Sequence, residues 1–302
     1  MDFFYKYVCG EKKRTDNAIE KNIKFDKKTY FFIVKKNRIC YTINTIKFIK
    51  LWEPRRKNDM EANATTLISE FAGSLIFLLG GYAYMCNISL KKTLVGTLNY
   101  IELAVAWSLA VGFGLAVAVI LGGPAYLNPG VVFGQICLGN LAIKDAALFL
   151  LMEFLAAGTA EILCMIFFWD SFKESSGMAK RGIFSAYPVK RNLPLNFIQE
   201  VLATFLFLFL VLGTITVASG TGAALQIGVV GFAAVLILAL TLNSTGFSMN
   251  AMRSVFSSVW FAILPFPTKN GEKVDWIYQL VVNLVGSSIG GILAVIVVAN
   301  LF

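Results

Sequence analysis

From residue 62 onward the chain is a series of apolar runs, and two of these are too short to cross a bilayer. A spanning helix needs about 20 apolar residues. The short runs, 131–141 and 255–264, each follow a polar, glycine-containing turn that ends in asparagine. The second stretch reads Gly246-Phe247-Ser248-Met249-Asn250-Ala251-Met252-Arg253. The first reads Leu127-Asn128-Pro129-Gly130, with its Asn 122 residues earlier. Asn and Arg are costly in hydrocarbon and are retained there for a task. Short segments in matching halves of a membrane protein point to a site at the midplane.

The composition fits that class. Charged residues make up 15% of the 302 and hydrophobic ones 57%, with mean hydropathy +0.69. A soluble chain carries about a quarter charged residues, so a polytopic α-helical membrane protein is expected. The net charge of +9 is concentrated at one end: residues 1–61 hold 16 of 27 Lys/Arg and 8 of 18 Asp/Glu. Three readings of this basic stretch stay open: a disordered cytoplasmic tail, a polybasic patch on anionic lipid using Lys47, Lys50, Arg55, Arg56 and Lys57, or upstream sequence ahead of a native start at Met60. Nucleic-acid binding is not expected. The chain has no histidine, which removes His nucleophile activation, His metal sites and His proton relays. The cysteines Cys9, Cys40, Cys86, Cys137 and Cys164 show no paired spacing and read as small residues, three of them in or beside apolar segments. No signal peptide is visible, so the first span would direct insertion.

Six spans are expected, at 66–85, 101–121, 146–169, 197–218, 227–242 and 276–302, with residues 170–196 as the longest polar link. The two halves, 64–169 and 197–302, resemble each other. Each opens with a Glu in apolar sequence, Glu70 and Glu200, followed seven residues on by Phe77 and Phe207. Three spans per half is an odd number, so the second half enters from the opposite face, an inverted repeat. Both termini inside would place the basic stretch in the cytoplasm and the link outside. Gly73, Gly158, Gly213, Gly286, Gly290 and Gly291 are expected at helix crossings.

Half-helices entering from opposite faces would meet N-terminus to N-terminus. Each end carries unpaired N–H groups and a positive dipole end. Asn128 and Asn250 would cap them, leaving amide NH₂ groups aimed into a lumen. The turn residues Pro124, Ala125, Tyr126, Gly246, Phe247 and Ser248 would offer backbone carbonyls along it.

With these motifs the chain resembles the aquaporin and glycerol-facilitator family over residues 64–302. That family carries two Asn-Pro-Ala motifs, the second followed by Arg. Here they are Asn128-Pro129-Gly130 and Asn250-Ala251-Met252, then Arg253. The resemblance implies six spans with two re-entrant half-helices, a selectivity filter of Trp107, Leu238, Phe247 and Arg253, and structural buttresses at Glu70 and Glu200 rather than proton carriers. Trp107, Phe247 and the segment Phe184-Ser185-Ala186-Tyr187-Pro188 resemble the glycerol branch; Ser254, where that branch has Asp, and Ser258 lean toward the water branch. Glu153 stands where the family often has Gln, and Glu161 matches nothing in the pattern. The substitution of Met252 for Ala implies a rearranged contact between the loops.

The expected function is a passive channel for glycerol, water and other small uncharged solutes. It would be a homotetramer in the plasma membrane, excluding ions and protons, with lipid around it and neither cofactor nor metal. A water-selective channel, a proton-coupled transporter or ion channel using Glu153 or Glu161, and a pore shut by Met252 are the alternatives. No nucleophile–base pairing suggests an enzyme.

Overall fold

The computed structural model describes residues 61–95, 100–217, 233, 236, 240–242, 244–267, 269 and 271–302. Among them are nine helices and no strand. Those long and apolar enough to cross a membrane are α1 (Ala64–Ser89), α2 (Tyr100–Ile120), α4 (Ile143–Phe167), α7 (Leu193–Val217) and α9 (Trp276–Leu301). Two short apolar helices are α3 (Pro129–Cys137) and α8 (Met252–Ile263). The basic stretch 1–60 and most of the expected fifth span, 227–242, lie outside the described residues.

Local sequence sets the helix starts. Asn63 caps α1: its side chain accepts from Thr66 N–H at 3.1 Å, and Thr66 Oγ1 accepts in return from Asn63 N–H at 3.0 Å. The reciprocal pair satisfies two backbone donors that the first turn leaves free. At 1.5 Å per residue α3 is about 13 Å long and α8 about 18 Å. Neither can span alone, but end to end they match a hydrocarbon core of about 30 Å. The expected link 170–196 is not simply polar coil. It contains α5 (Trp169–Glu174) and α6 (Gly177–Phe184), whose apolar face buries Ile183 and Phe184. Trp169, expected in the third span, instead starts α5.

The half-helices pack crosswise. α3 lies on α9 of the second half, and α8 on α4 of the first. Small residues make this possible. A Cβ on Gly291 would sit 2.7 Å from Gly130 Cα, and one on Gly134 would sit 2.6 Å from Val295 Cβ. On the other side, Trp260 fills the notch at Gly158 and its Nε1 donates to the Phe154 carbonyl at 2.8 Å. Gly73 and Gly290 are equally tight, against Ala118 and the Val201 carbonyl. Gly213 and Gly286 are not: a Cβ there would meet only side chains, at 3.4 Å or more. Spacing alone cannot separate a glycine at a crossing from one beside an accommodating side chain.

Outside the spans, the connecting segment is tied to the loop before α9. Arg181 pairs with Glu272, and Arg191 Nε donates to Asp275 Oδ2 at 2.8 Å. Asp275 also caps α9 by accepting from Tyr278 N–H. The Arg191 hydrogen bond holds the Asp275 carboxyl below its usual range.

Gly291→Ala should lower detergent-solubilised stability by about 1–3 kcal/mol, because the added methyl meets backbone. Gly213→Ala should leave it unchanged or slightly higher. Thermal unfolding of the two variants side by side measures the contrast.

Candidate functional site

The loops before α3 and α8 have one shape. Residues three and one before each Asn have left-handed backbone: Ala125 (φ 54) and Leu127 (φ 47) in the first loop, Phe247 (φ 57) and Met249 (φ 50) in the second. For residues with a Cβ that conformation costs about 1–2 kcal/mol each. It persists only where surrounding groups hold it. Glu70 and Glu200, buried in α1 and α7, are those groups. The Glu70 carboxylate accepts from Tyr126 N–H at 3.1 Å and Leu127 N–H at 2.5 Å. Glu200 accepts from Met249 N–H at 2.5 Å. Glu153, buried in α4, lies beside the Glu70 carboxyl.

Each Asn both caps its own helix and grips the other loop. Asn128 Oδ1 accepts from Gly130 N–H at 2.9 Å, and Asn250 Oδ1 from Met252 N–H at 2.9 Å. Asn128 Nδ2 donates to the Met249 carbonyl at 3.0 Å, and Asn250 Nδ2 to the Leu127 carbonyl at 2.7 Å. The tips therefore touch. One amide hydrogen of each Asn is spent on the opposite loop, a correction to the expectation that the whole NH₂ faces a lumen. The second hydrogen remains. Pro129 occupies the first turn of α3, where its missing N–H costs nothing. Ala251 and Met252 are fully buried.

Met252 begins a widened, π-helical turn, Met252–Phe256, before α8 continues as ordinary helix. Such turns recur at functional sites. This one carries Arg253, which is 3% exposed. Its guanidinium lies 5.4 Å from the Trp107 ring centre and 5.0 Å from that of Phe247, and the two rings meet edge to face at 5.3 Å. Arg253 Nε and NH1 and Trp107 Nε1 are buried donors without partners among the described residues. Leu238, the fourth expected member, lies outside those residues. No hydrogen bond among the described residues reaches the carbonyls of Pro124, Ala125, Tyr126, Gly246, Phe247 or Ser248.

The segment Phe184–Pro188 backs the second loop. A Cβ on Gly246 would strike the Tyr187 backbone, with its nitrogen at 2.3 Å, and Gly246 has φ +78; glycine alone suits both demands. The Ala186 carbonyl accepts from Gln279 Nε2 at 2.7 Å and Asn283 Nδ2 at 3.1 Å. Ser254 Oγ lies 2.6 Å from Ser248 Oγ, and Ser258 Oγ 2.7 Å from Ser185 Oγ. Both serines hold the loop together. Sequence reading missed Tyr82, whose ring packs edge-on to Trp107 and whose hydroxyl reaches Arg253's carbonyl. A Tyr inside an apolar span was the available signal.

A family model described as "Major intrinsic protein" matches residues 58–298. The chain is 30% identical over 231 residues to "Glycerol uptake facilitator protein 2" of Lactiplantibacillus plantarum, covering 75% of this chain and 95% of the relative. It is 29% identical over 232 residues to the "D/L-lactic acid transporter" of the same organism, covering 76% and 94%. Among solved structures, the aquaglyceroporin from Plasmodium falciparum superposes with a TM-score of 0.64 at 21% identity, covering 76% of this chain and 93% of that one.

Glu70→Gln leaves one carbonyl oxygen where the carboxylate takes two N–H donors, and turns an NH₂ toward the other. It should cost about 1–3 kcal/mol. Faster amide exchange at Tyr126 and Leu127, together with a lower melting temperature, checks this.

Proposed function

The chain belongs to the major intrinsic protein family, and on that premise we propose that it is a passive channel for glycerol, water and other small uncharged solutes. The observation that carries the reading is the cluster of Arg253, Trp107 and Phe247 beside the joined tips of α3 and α8. Its buried donors are Arg253 Nε and NH1 and Trp107 Nε1, with the guanidinium over the Trp107 and Phe247 rings. A polyol shedding water there exchanges its hydration for hydrogen bonds to Arg253 and Trp107, while its CH groups slide along the rings. An unpaired buried donor costs about 1–3 kcal/mol, so a hydroxyl oxygen accepting from these groups is held favourably. Leu238 would complete the wall.

At the midplane the remaining amide hydrogens of Asn128 and Asn250 orient each passing oxygen. The six free loop carbonyls serve as successive acceptors. Both half-helices turn positive ends inward, which disfavours cations, hydronium included. Glu70 and Glu200 act as supports for the loops, and their bonds to loop N–H groups favour that over proton carriage. No bond is made or broken. Each subunit would hold its own pore in a plasma-membrane homotetramer with both termini cytoplasmic.

One observation favours a second permeant class. The filter cluster has donors, and Ser254 stands where the glycerol branch has a carboxylate. An undissociated hydroxy acid, with a carbonyl acceptor, suits that arrangement, and one relative is named a lactic acid transporter.

Osmotic swelling of reconstituted vesicles, with water, glycerol and lactic acid at acid pH in parallel, tests both readings. Wild-type protein should pass glycerol well above empty vesicles; equality with empty vesicles would sink the first. Arg253→Ala should raise passage of larger or charged solutes by about tenfold, the scale of one charged hydrogen bond; an unchanged solute profile removes Arg253 from the filter. Removal of residues 1–59 should leave permeability intact in correctly inserted protein.

A further inference from the structure

The widened turn that carries Arg253 has its own support, made of two residues that the channel reading above does not use. Tyr82 of α1 is fully buried, and its hydroxyl lies 2.7 Å from the Arg253 carbonyl and 2.5 Å from Ser257 Oγ. Ser257 Oγ is also 3.4 Å from the Met252 carbonyl, a weak contact at best.

Counting protons fixes the direction of the chain. Each hydroxyl has one hydrogen to give. The Arg253 carbonyl can only accept, so Tyr82 donates to it. The hydrogen between Tyr82 and Ser257 is then supplied by Ser257.

We propose that Ser257 and Tyr82 are a one-way chain of O–H donors ending on the Arg253 carbonyl, and that Tyr82 is a positioning residue for permeant selection. Tyr82 also holds Trp107 edge-on at 6.0 Å. One side chain thus sets both the backbone of the filter cation and the ring opposite it. Tyr82 thus ties the π-helical turn, a kind of turn frequent at functional sites, to α1 from outside the helix.

The inference rests on the channel reading. Its test compares wild type, Tyr82→Phe and Ser257→Ala in vesicles, scoring the permeability ratio of a four-carbon polyol to glycerol. Tyr82→Phe keeps the ring and removes only the donor. It and Ser257→Ala should each raise the ratio about fivefold, the scale of one neutral hydrogen bond. An unmoved ratio in Tyr82→Phe overturns the proposal. Amide exchange over residues 252–257 reads the same chain in protein that conducts nothing: faster exchange in Tyr82→Phe supports it and equal rates refute it. Wild-type vesicles impermeable to every solute would instead count against the channel reading alone.

Discussion

Two side-chain amides hold this fold at its centre. Asn128 and Asn250 each cap a half-helix through the oxygen and bond the opposite loop through the nitrogen. In hydrocarbon a backbone carbonyl without a donor costs several kcal/mol. The Leu127 and Met249 carbonyls, which close the two loops, find their donors only in each other's half. Neither loop is satisfied alone, so the halves specify one another.

The same constraint explains the strain beside them. Four non-glycine residues adopt left-handed backbone in a mirrored pattern. The buried carboxyl of Glu70 takes up two consecutive loop N–H groups, those of Tyr126 and Leu127, and that of Glu200 takes up the Met249 N–H. A carboxyl in a span is expensive; here it is exchanged for several loop donors that would otherwise be orphaned. Among the described residues no hydrogen bond reaches the carbonyls of Pro124, Ala125, Tyr126, Gly246, Phe247 and Ser248 in the same turns.

Around this centre, small residues and aromatics divide the work. Gly130 and Gly291 let α3 and α9 approach at backbone distance, while Trp260 fills the gap left by Gly158 under α8. The crosswise packing buries each half-helix against the last span of the other half. Arg253 is then enclosed by Trp107 and Phe247, with Tyr82 behind it, and its Nε and NH1 have no partner among the described residues.

Much of this could be read from the residues. Run lengths gave five of the six expected spans, the fifth lying mostly outside the described residues, and the two short helices, because hydrocarbon thickness sets a length that sequence must meet. The Asn, Arg and Glu positions stood out because polar groups in apolar runs need a reason. Resemblance supplied Trp107 and Phe247. Other features depended on three-dimensional neighbours. The spacing of glycines did not show that Gly213 and Gly286 meet only side chains. Nothing local marked the π-turn at Met252, since an extra residue in a turn depends on what packs against it. The direction in which each amide hydrogen is spent, and the meeting of Tyr82 of α1 with Ser257 and the Arg253 carbonyl of α8, were decided by tertiary structure alone. Hydrophobic length and the cost of burying polar groups are written along the chain; which donor meets which acceptor across 121 or 171 residues is settled only when the helices pack.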